Sequence, residues 1–164
     1  MSKPVLFSLA ITTFLTGLYA GVGFFTIMGG NPAIARLSDR GFAEFWQHVD
    51  HFMAARMPIA GPFFLLSTLI SMIILFRITG PSFSSWMMSG ALVVLIADLV
   101  FTLNVNHPLN TLIQSWDLSN LPANVSEIKM KVYEAFNIRL WFMIISFALV
   151  IFSVWSFISK GKTV

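Results

Sequence analysis

The stretches MPIAGPFFLLSTLISMIILF (residues 57–76) and ITGPSFSSWMMSGALVVLIA (residues 78–97) follow one another with only Arg77 between them. Neither contains a charged residue, and each has the length of about 20 residues that a helix needs to cross the hydrocarbon layer of a bilayer. The sequence therefore predicts two transmembrane helices joined by a short connector around Arg77.

Two further stretches, residues 4–35 and 140–159, also lack charge. The chain is 57 % hydrophobic and only 10 % charged, which is too apolar for a soluble domain. We predict a single domain over residues 1–164, an all-α integral membrane four-helix bundle. Its expected spans are residues 5–28, 57–76, 84–103 and 138–159.

The polar residues are distributed unevenly around these spans. Four passes place the N-terminus, Arg77 and the tail at Lys160 and Lys162 on one membrane face, and the connectors 29–56 and 104–139 on the other. Every Asp, Glu, His and Asn falls on the side of these long connectors. We expect any chemistry there, and the positive-inside rule favours both termini in the cytoplasm of a bacterium, with the protein in the inner membrane.

Composition also excludes several function classes. The chain has no cysteine, which rules out disulfides, thiolate metal sites and covalent c-type haem. Its ten Lys and Arg form no basic run that would follow a phosphate backbone, so nucleic acid is not an expected partner.

The connector after the first span contains an amphipathic helix, predicted over residues 42–55. We expect Gly29-Gly30-Asn31-Pro32 to break the first helix, and Ser38 or Asp39 to cap the next one. Pro58 and Pro62 should bend or restart the chain, so that this segment lies at the membrane interface. At 100° per residue its apolar face carries Phe45, Trp46, Val49, Phe52 and Met53.

The opposite face of that helix contains a candidate metal site. Glu44, His48 and His51 follow the spacing i, i+4, i+7, which places two imidazoles and a carboxylate on one side, as in divalent-metal sites. The alternative is a polar face in contact with water.

Asp98 lies within the third span, where a carboxylate costs up to about 2.5–3.5 kcal/mol on insertion scales. Its expected partner is Arg139, at the start of the last span. The pair is either functional or an architectural ion pair.

A second polar group is predicted at residues 104–110, an Asn-rich turn in which Pro108 disfavours helix for His107. His107 is a candidate base or a third metal ligand, or else a solvated turn residue. The side-chain amides of Asn104, Asn110 and Asn137 either bind a polar ligand group together with Arg139, or form hydrogen bonds with backbone groups left unpaired where a helix is interrupted.

Two features bear on helix packing. Gly17-x-x-x-Gly21, followed by Gly23, lets another helix approach closely, either within the chain or in a homo-oligomer or other partner. Helical spacing from residue 125 to about 159 predicts a last helix of about 50 Å that projects beyond the membrane.

Several motifs follow a known pattern. In the second half these are His107-Pro108-Leu109-Asn110, Ile113 and Trp116, Leu121-Pro122-Ala123-Asn124, and Asn137-Ile138-Arg139; in the first half they are Gly17-Leu18-Tyr19-Ala20-Gly21 and Asn31-Pro32-Ala33. With these motifs the chain resembles the anthrone oxygenase-like family of small four-helix membrane proteins. Where relatives often carry aromatic residues and a His before the Asn-x-Arg element, this chain has Val125, Val132 and Phe136. The resemblance covers most of the chain, but the family's site residues carry over only to Pro108, Asn110, Asn137 and Arg139.

The resemblance implies oxidation of a polycyclic anthrone to an anthraquinone by O2 without flavin or haem. On this hypothesis the protein is a membrane oxidoreductase, a cofactor-independent oxygenase, acting on a hydrophobic small molecule. His107, His48 or His51 would act as the base, and Asn110, Asn137 and Arg139 would orient the substrate or its oxyanion. Asp98 is a further candidate catalytic residue.

Two alternatives remain open. The first is a non-enzymatic accessory subunit or small-molecule carrier. In the second, His48, His51 and His107 bind a divalent metal or b-haem, although no diagnostic haem motif is present.

Overall fold

The computed structural model describes residues 3–160, so the tail residue Lys162 lies outside the described part. These residues are almost entirely helical and contain no strand. Six α-helices follow one another: α1 (Lys3–Phe25), α2 (Asn31–Arg36), α3 (Asp39–Thr79), α4 (Phe83–Phe101), α5 (His107–Gln114) and α6 (Val125–Lys160). A π-helical turn, Thr26–Gly30, joins α1 to α2, and a second one, Thr102–Asn106, joins α4 to α5.

Four continuous rods result, and each is long and apolar enough to cross a membrane: Lys3–Arg36, Asp39–Thr79, Phe83–Gln114 and Val125–Ser159. Large apolar side chains cover their outer faces, as contact with lipid requires; Phe7, Phe14, Val93 and Trp155 are examples. The predicted all-α four-helix architecture is confirmed, and the protein is a multi-pass membrane protein by the length and composition of its helices.

Two apolar clusters mark the ends of the bundle. At one end, the start of α1 and the ends of α3 and α6 meet the first turns of α4; Val5, Leu75, Met88 and Phe157 belong to this cluster. The other cluster forms what we call the cap, built from α2, the first half of α3, α5 and the first half of α6. Its buried residues are Phe42, Trp46, Ile113, Val125, Ile128 and Val132. The start of α1, the end of α6 and Arg77 therefore lie opposite the cap, as predicted.

Both π turns immediately precede an X-Pro pair. Asn31 donates its backbone N–H to the Thr26 carbonyl, and His107 donates to Thr102, each across five residues. Pro32 and Pro108 have no N–H, and their rings crowd the carbonyl four residues earlier, so the chain adds a residue to the turn. Each proline then sits near the N-terminus of a new helix, where its N–H is not needed.

These turns correct two expectations. Gly29-Gly30-Asn31-Pro32 does not break the first rod, which continues to Arg36; the break comes at Leu37, where the backbone is extended. His107 lies in helical conformation, with φ −60° and ψ −45°, rather than in a tight turn. The effect of Pro108 on its neighbour is absorbed by the wider π turn instead. The expected capping residue is correct, because the Ser38 hydroxyl accepts from the Gly41 N–H.

α3 is one helix of 41 residues with Pro58 and Pro62 inside it. The segment predicted to lie at the membrane interface, residues 42–55, is therefore the N-terminal part of the same rod. The predicted apolar face is divided between two environments: Phe45, Val49, Phe52 and Met53 are exposed, whereas Trp46 is buried together with Phe42 and Ala43. The physical reason lies in the partners on that side: the Gln47 amide donates to the carbonyls of Ile113 and Trp116, which turns this face towards α5.

A local hydrogen-bonded turn stabilises the connector between α5 and α6. The Asp117 carboxylate accepts hydrogen bonds from the hydroxyl and the backbone N–H of Ser119, and these bonds lower the pKa of Asp117. α6 begins at Val125 as predicted and is held to the cap by Lys129, which donates to the Leu37 carbonyl at 2.9 Å and to Asp39 at 3.2 Å.

Gly80, between α3 and α4, has φ +63° and ψ −158°, a region that only glycine adopts without strain. We expect Gly80→Ala to lower the free energy of unfolding by about 1–3 kcal/mol. Gly21→Ala is the matched control, because a Cβ there would meet no atom within 4 Å. Thermal melting in detergent measures both variants, and equal melting temperatures would contradict the role assigned to Gly80.

Candidate functional site

Three helices bring a carboxylate, a guanidinium and a phenol together inside the apolar part of the bundle. Asp98 on α4 is only 2 % exposed. Arg139 on α6 donates from Nε to Asp98 Oδ1 at 2.9 Å and from Nη2 to Oδ2 at 3.4 Å. The Tyr19 hydroxyl on α1 donates to Asp98 Oδ2 and accepts from Arg139 Nη2 at 2.9 Å. We call these residues the intramembrane cluster.

The cluster contains the predicted Asp98–Arg139 pair, whereas Tyr19 entered the sequence analysis only as part of the motif Gly17-Leu18-Tyr19-Ala20-Gly21. Its charges cancel, since one carboxylate faces one guanidinium. Both Asp98 oxygens accept hydrogen bonds, so the cost of removing the carboxylate from water is offset by several partners. Arg139 uses Nε and Nη2 in these contacts, which leaves Nη1 to donate to another group.

Aromatic rings surround the cluster on two sides. The Tyr19 ring stacks on Phe64 of α3, with centroids 5.3 Å apart. The Arg139 guanidinium lies 5.5 Å from the centroid of the Phe136 ring, within cation–π range. Phe136 in turn packs edge-on against Trp46 at 5.4 Å. A continuous series of rings therefore connects the cap with the intramembrane cluster.

The predicted ligand-binding asparagines mainly join helices. Asn110 accepts from Trp46 Nε1 at 3.0 Å and donates to Asp50 at 2.5 Å, which fixes α5 against α3. Asn137 accepts from Asn31 at 2.9 Å, which fixes α6 against the start of α2.

Two other amides behave differently. Asn104 is exposed and donates to the Val100 carbonyl one turn earlier. Asn106, which the sequence analysis did not single out, is 3 % exposed, and its Oδ1 has no hydrogen-bond partner among residues 3–160.

The histidines lie apart from the intramembrane cluster. His48, His51 and His107 are all exposed, and the Nδ1 of His107 lies 3.4 Å from the Thr111 hydroxyl. Within residues 3–160, no group of three or more His, Asp or Glu is arranged to hold a metal ion. The structure therefore does not assemble Glu44, His48 and His51 into a ligand set, because they lie along one helix and no second helix adds a ligand.

The glycines of α1 serve two different surfaces. A Cβ at Gly17 would come within 3.3 Å of Phe147, and one at Gly23 within 3.1 Å of Leu140, so both pack against α6 of the same chain. Gly21 faces open space. It lies in an open groove of about 590 Å³ along the outer side of α1, lined by Thr13, Phe14, Gly17, Leu18, Gly21, Val22 and Phe25. None of the candidate catalytic or substrate-binding residues lines this groove.

Comparison of the chain with protein-family models, with curated proteins and with solved structures finds no match.

Proposed function

We propose that this protein is a membrane oxidoreductase that oxidises a hydrophobic aromatic molecule with O2. The observation that carries the proposal is the intramembrane cluster of Tyr19, Asp98 and Arg139. An ionisable group within a transmembrane span favours a functional site, and this one combines a proton acceptor with a cationic donor beside aromatic rings. A molecule dissolved in lipid would reach such a group without crossing water.

Anthrone serves as the example substrate for the chemistry. The Tyr19 oxygen takes a proton from the ring CH2 while the Tyr19 proton passes to Asp98, and the Nη1 of Arg139 stabilises the oxyanion of the resulting enolate. The enolate carbon gives its electrons to O2 and forms a C–O bond, and the resulting peroxide takes back the first proton from Asp98 through Tyr19. The same pair then removes the second ring proton, the O–O bond breaks to leave the new carbonyl, and the departing hydroxide takes that proton and leaves as water. Anthrone and O2 thus give anthraquinone and H2O, with O2 as the only oxidant.

The test is the rate of anthrone oxidation by the protein purified in detergent, followed as O2 consumption and anthraquinone absorbance above the protein-free rate. We expect Tyr19→Phe to lower the rate by about 10²–10⁴-fold, the usual contribution of a positioned acid or base. His107→Ala, an exposed position, is the control and should retain the wild-type rate.

Other outcomes separate the hypotheses. Loss of turnover in His107→Ala with normal turnover in Tyr19→Phe would indicate that a histidine, and not Tyr19, is the base. A wild-type protein that does not accelerate the reaction would refute the proposal. Metal analysis and an absorption spectrum of the same preparation test the metal or b-haem alternative, through stoichiometric metal or a Soret band.

A second candidate function, a non-enzymatic accessory subunit, is favoured by the exposed apolar face of the cap. Phe45, Val49, Phe52 and Met53 are exposed on the part of α3 that precedes the charge-free stretch 57–76, and such an apolar patch can serve as a contact surface for a partner protein. No turnover, together with co-purification of a fixed partner in constant ratio, would support this candidate.

A further inference from the structure

The middle of α3, residues 51–63, is less tightly packed than its two ends. Its buried residues are Phe42, Ala43 and Trp46 in the cap, and Thr68, Ser71 and Leu75 at the opposite end. Between Asp50, which accepts from Asn110, and Phe64, which stacks on Tyr19, residues 51–63 include no buried residue. At 1.5 Å per residue this loosely packed segment is about 20 Å long.

The loose packing includes the side of α3 that faces the bundle. Met57, Ala60, Gly61 and Phe64 form one helical stripe, and the stacking of Phe64 on Tyr19 shows that this stripe faces inward. All four residues are nevertheless partly exposed. A Cβ added at Gly61 would meet no atom within 4 Å. An open space therefore lies beside Gly61, one turn from the Tyr19–Phe64 pair.

The backbone of α3 is weakened at the same place. Pro58 and Pro62 lack the N–H that would bond to the carbonyl four residues earlier, so this part of the helix has lost two of its hydrogen bonds. Such sites are where helices bend. The segment can move outward while both ends stay anchored.

We propose that this space is a lateral binding site for a flat, mostly apolar aromatic molecule with one polar oxygen. It lies in the charge-free stretch 57–76, so its ligand arrives from the lipid. The rings of Tyr19, Phe64 and Phe136 offer aromatic surface, and Arg139 with the Tyr19 hydroxyl offers one polar end. The site deepens the proposed function by identifying where its substrate binds, and binding itself requires no turnover.

The experiment uses 9-anthracenemethanol, a flat aromatic alcohol, and measures its binding to the detergent-purified protein by energy transfer from tryptophan. Gly61→Phe fills the space and should weaken binding at least tenfold. Gly21→Phe is the matched control, because Gly21 also faces open space but on the outer side of α1. Binding to this control should stay within twofold of the wild type.

A second measurement does not depend on a large substitution. The chain has no cysteine, so Gly61→Cys carries a single nitroxide label. We expect 9-anthracenemethanol to lower the mobility of the label, and the same label on Gly21→Cys to be unaffected.

Three outcomes would overturn the site: equal binding by Gly61→Phe and the wild type, equal losses in both phenylalanine variants, or equally strong competition by a saturated fatty alcohol, which would indicate an acyl-chain site. Failure of the site and failure of the function are distinguishable. Normal anthrone turnover by Gly61→Phe would refute the site alone, whereas selective binding without turnover by the wild type would refute the function alone.

Discussion

Asp98→Ala should lower the free energy of unfolding by about 3–5 kcal/mol, because it leaves the Arg139 guanidinium without its carboxylate inside the bundle. Removing both charges is expected to cost much less. In the double variant Asp98→Leu/Arg139→Met, apolar groups of similar size replace the pair, and such replacements are often neutral or stabilising. Equilibrium unfolding in mixed detergent of the wild type, Asp98→Leu, Arg139→Met and the double variant measures the coupling free energy between the two side chains.

The matched control for this experiment is Glu127→Ala. Glu127 pairs with Lys131 at 2.7 Å on the exposed side of α6, and an exposed i, i+4 pair contributes about 0.5 kcal/mol or less. If the effects of Asp98→Leu and Arg139→Met simply added in the double variant, the two groups would be energetically independent and the intramembrane cluster would lose its stabilising role.

Trp46→Ala is expected to destabilise the cap by about 3–5 kcal/mol, the range for truncation of a large buried aromatic residue. Trp46 is only 6 % exposed, and its loss removes the hydrogen bond to Asn110 and the packing against Phe136. Hydrogen exchange should then increase in α5 and in the first half of α3.

Phe45→Ala provides the comparison on the same helix. Phe45 is 45 % exposed and lies one residue away, on the face that no other helix covers. Its truncation should change stability by less than about 0.5 kcal/mol, as expected for a surface position. Equal effects of the two substitutions would mean that the cap is not fastened through Trp46.

The architecture was predictable because the bilayer limits the choice of structure. A charge-free run of about 20 residues has few alternatives to a spanning helix, and the spans placed Asp98 and Arg139 at the same level. The pairing followed because a carboxylate in that environment needs a cation. These inferences need only residue type and approximate depth.

Details that depend on contacts between helices were less accessible. Tyr19 is missed because a tyrosine in a span is usually a packing or interface residue; its position between Gly17 and Gly21, at a depth close to that of Asp98, was the available signal. For α3, periodicity identified an apolar side but not which residues pack against α5. The burial of Trp46 depends on its hydrogen bond to Asn110, which lies 64 residues away in sequence.

The intramembrane cluster also constrains the order of biosynthesis. Asp98 and Arg139 are 41 residues apart, and at about 5–20 residues per second the arginine leaves the ribosome seconds after the aspartate. During that interval the third span must enter the translocon with an uncompensated acid or wait at its lateral opening. Release of α4 into lipid would then depend on the arrival of α6, so a chain truncated before Arg139 should be a preferred target of membrane proteases.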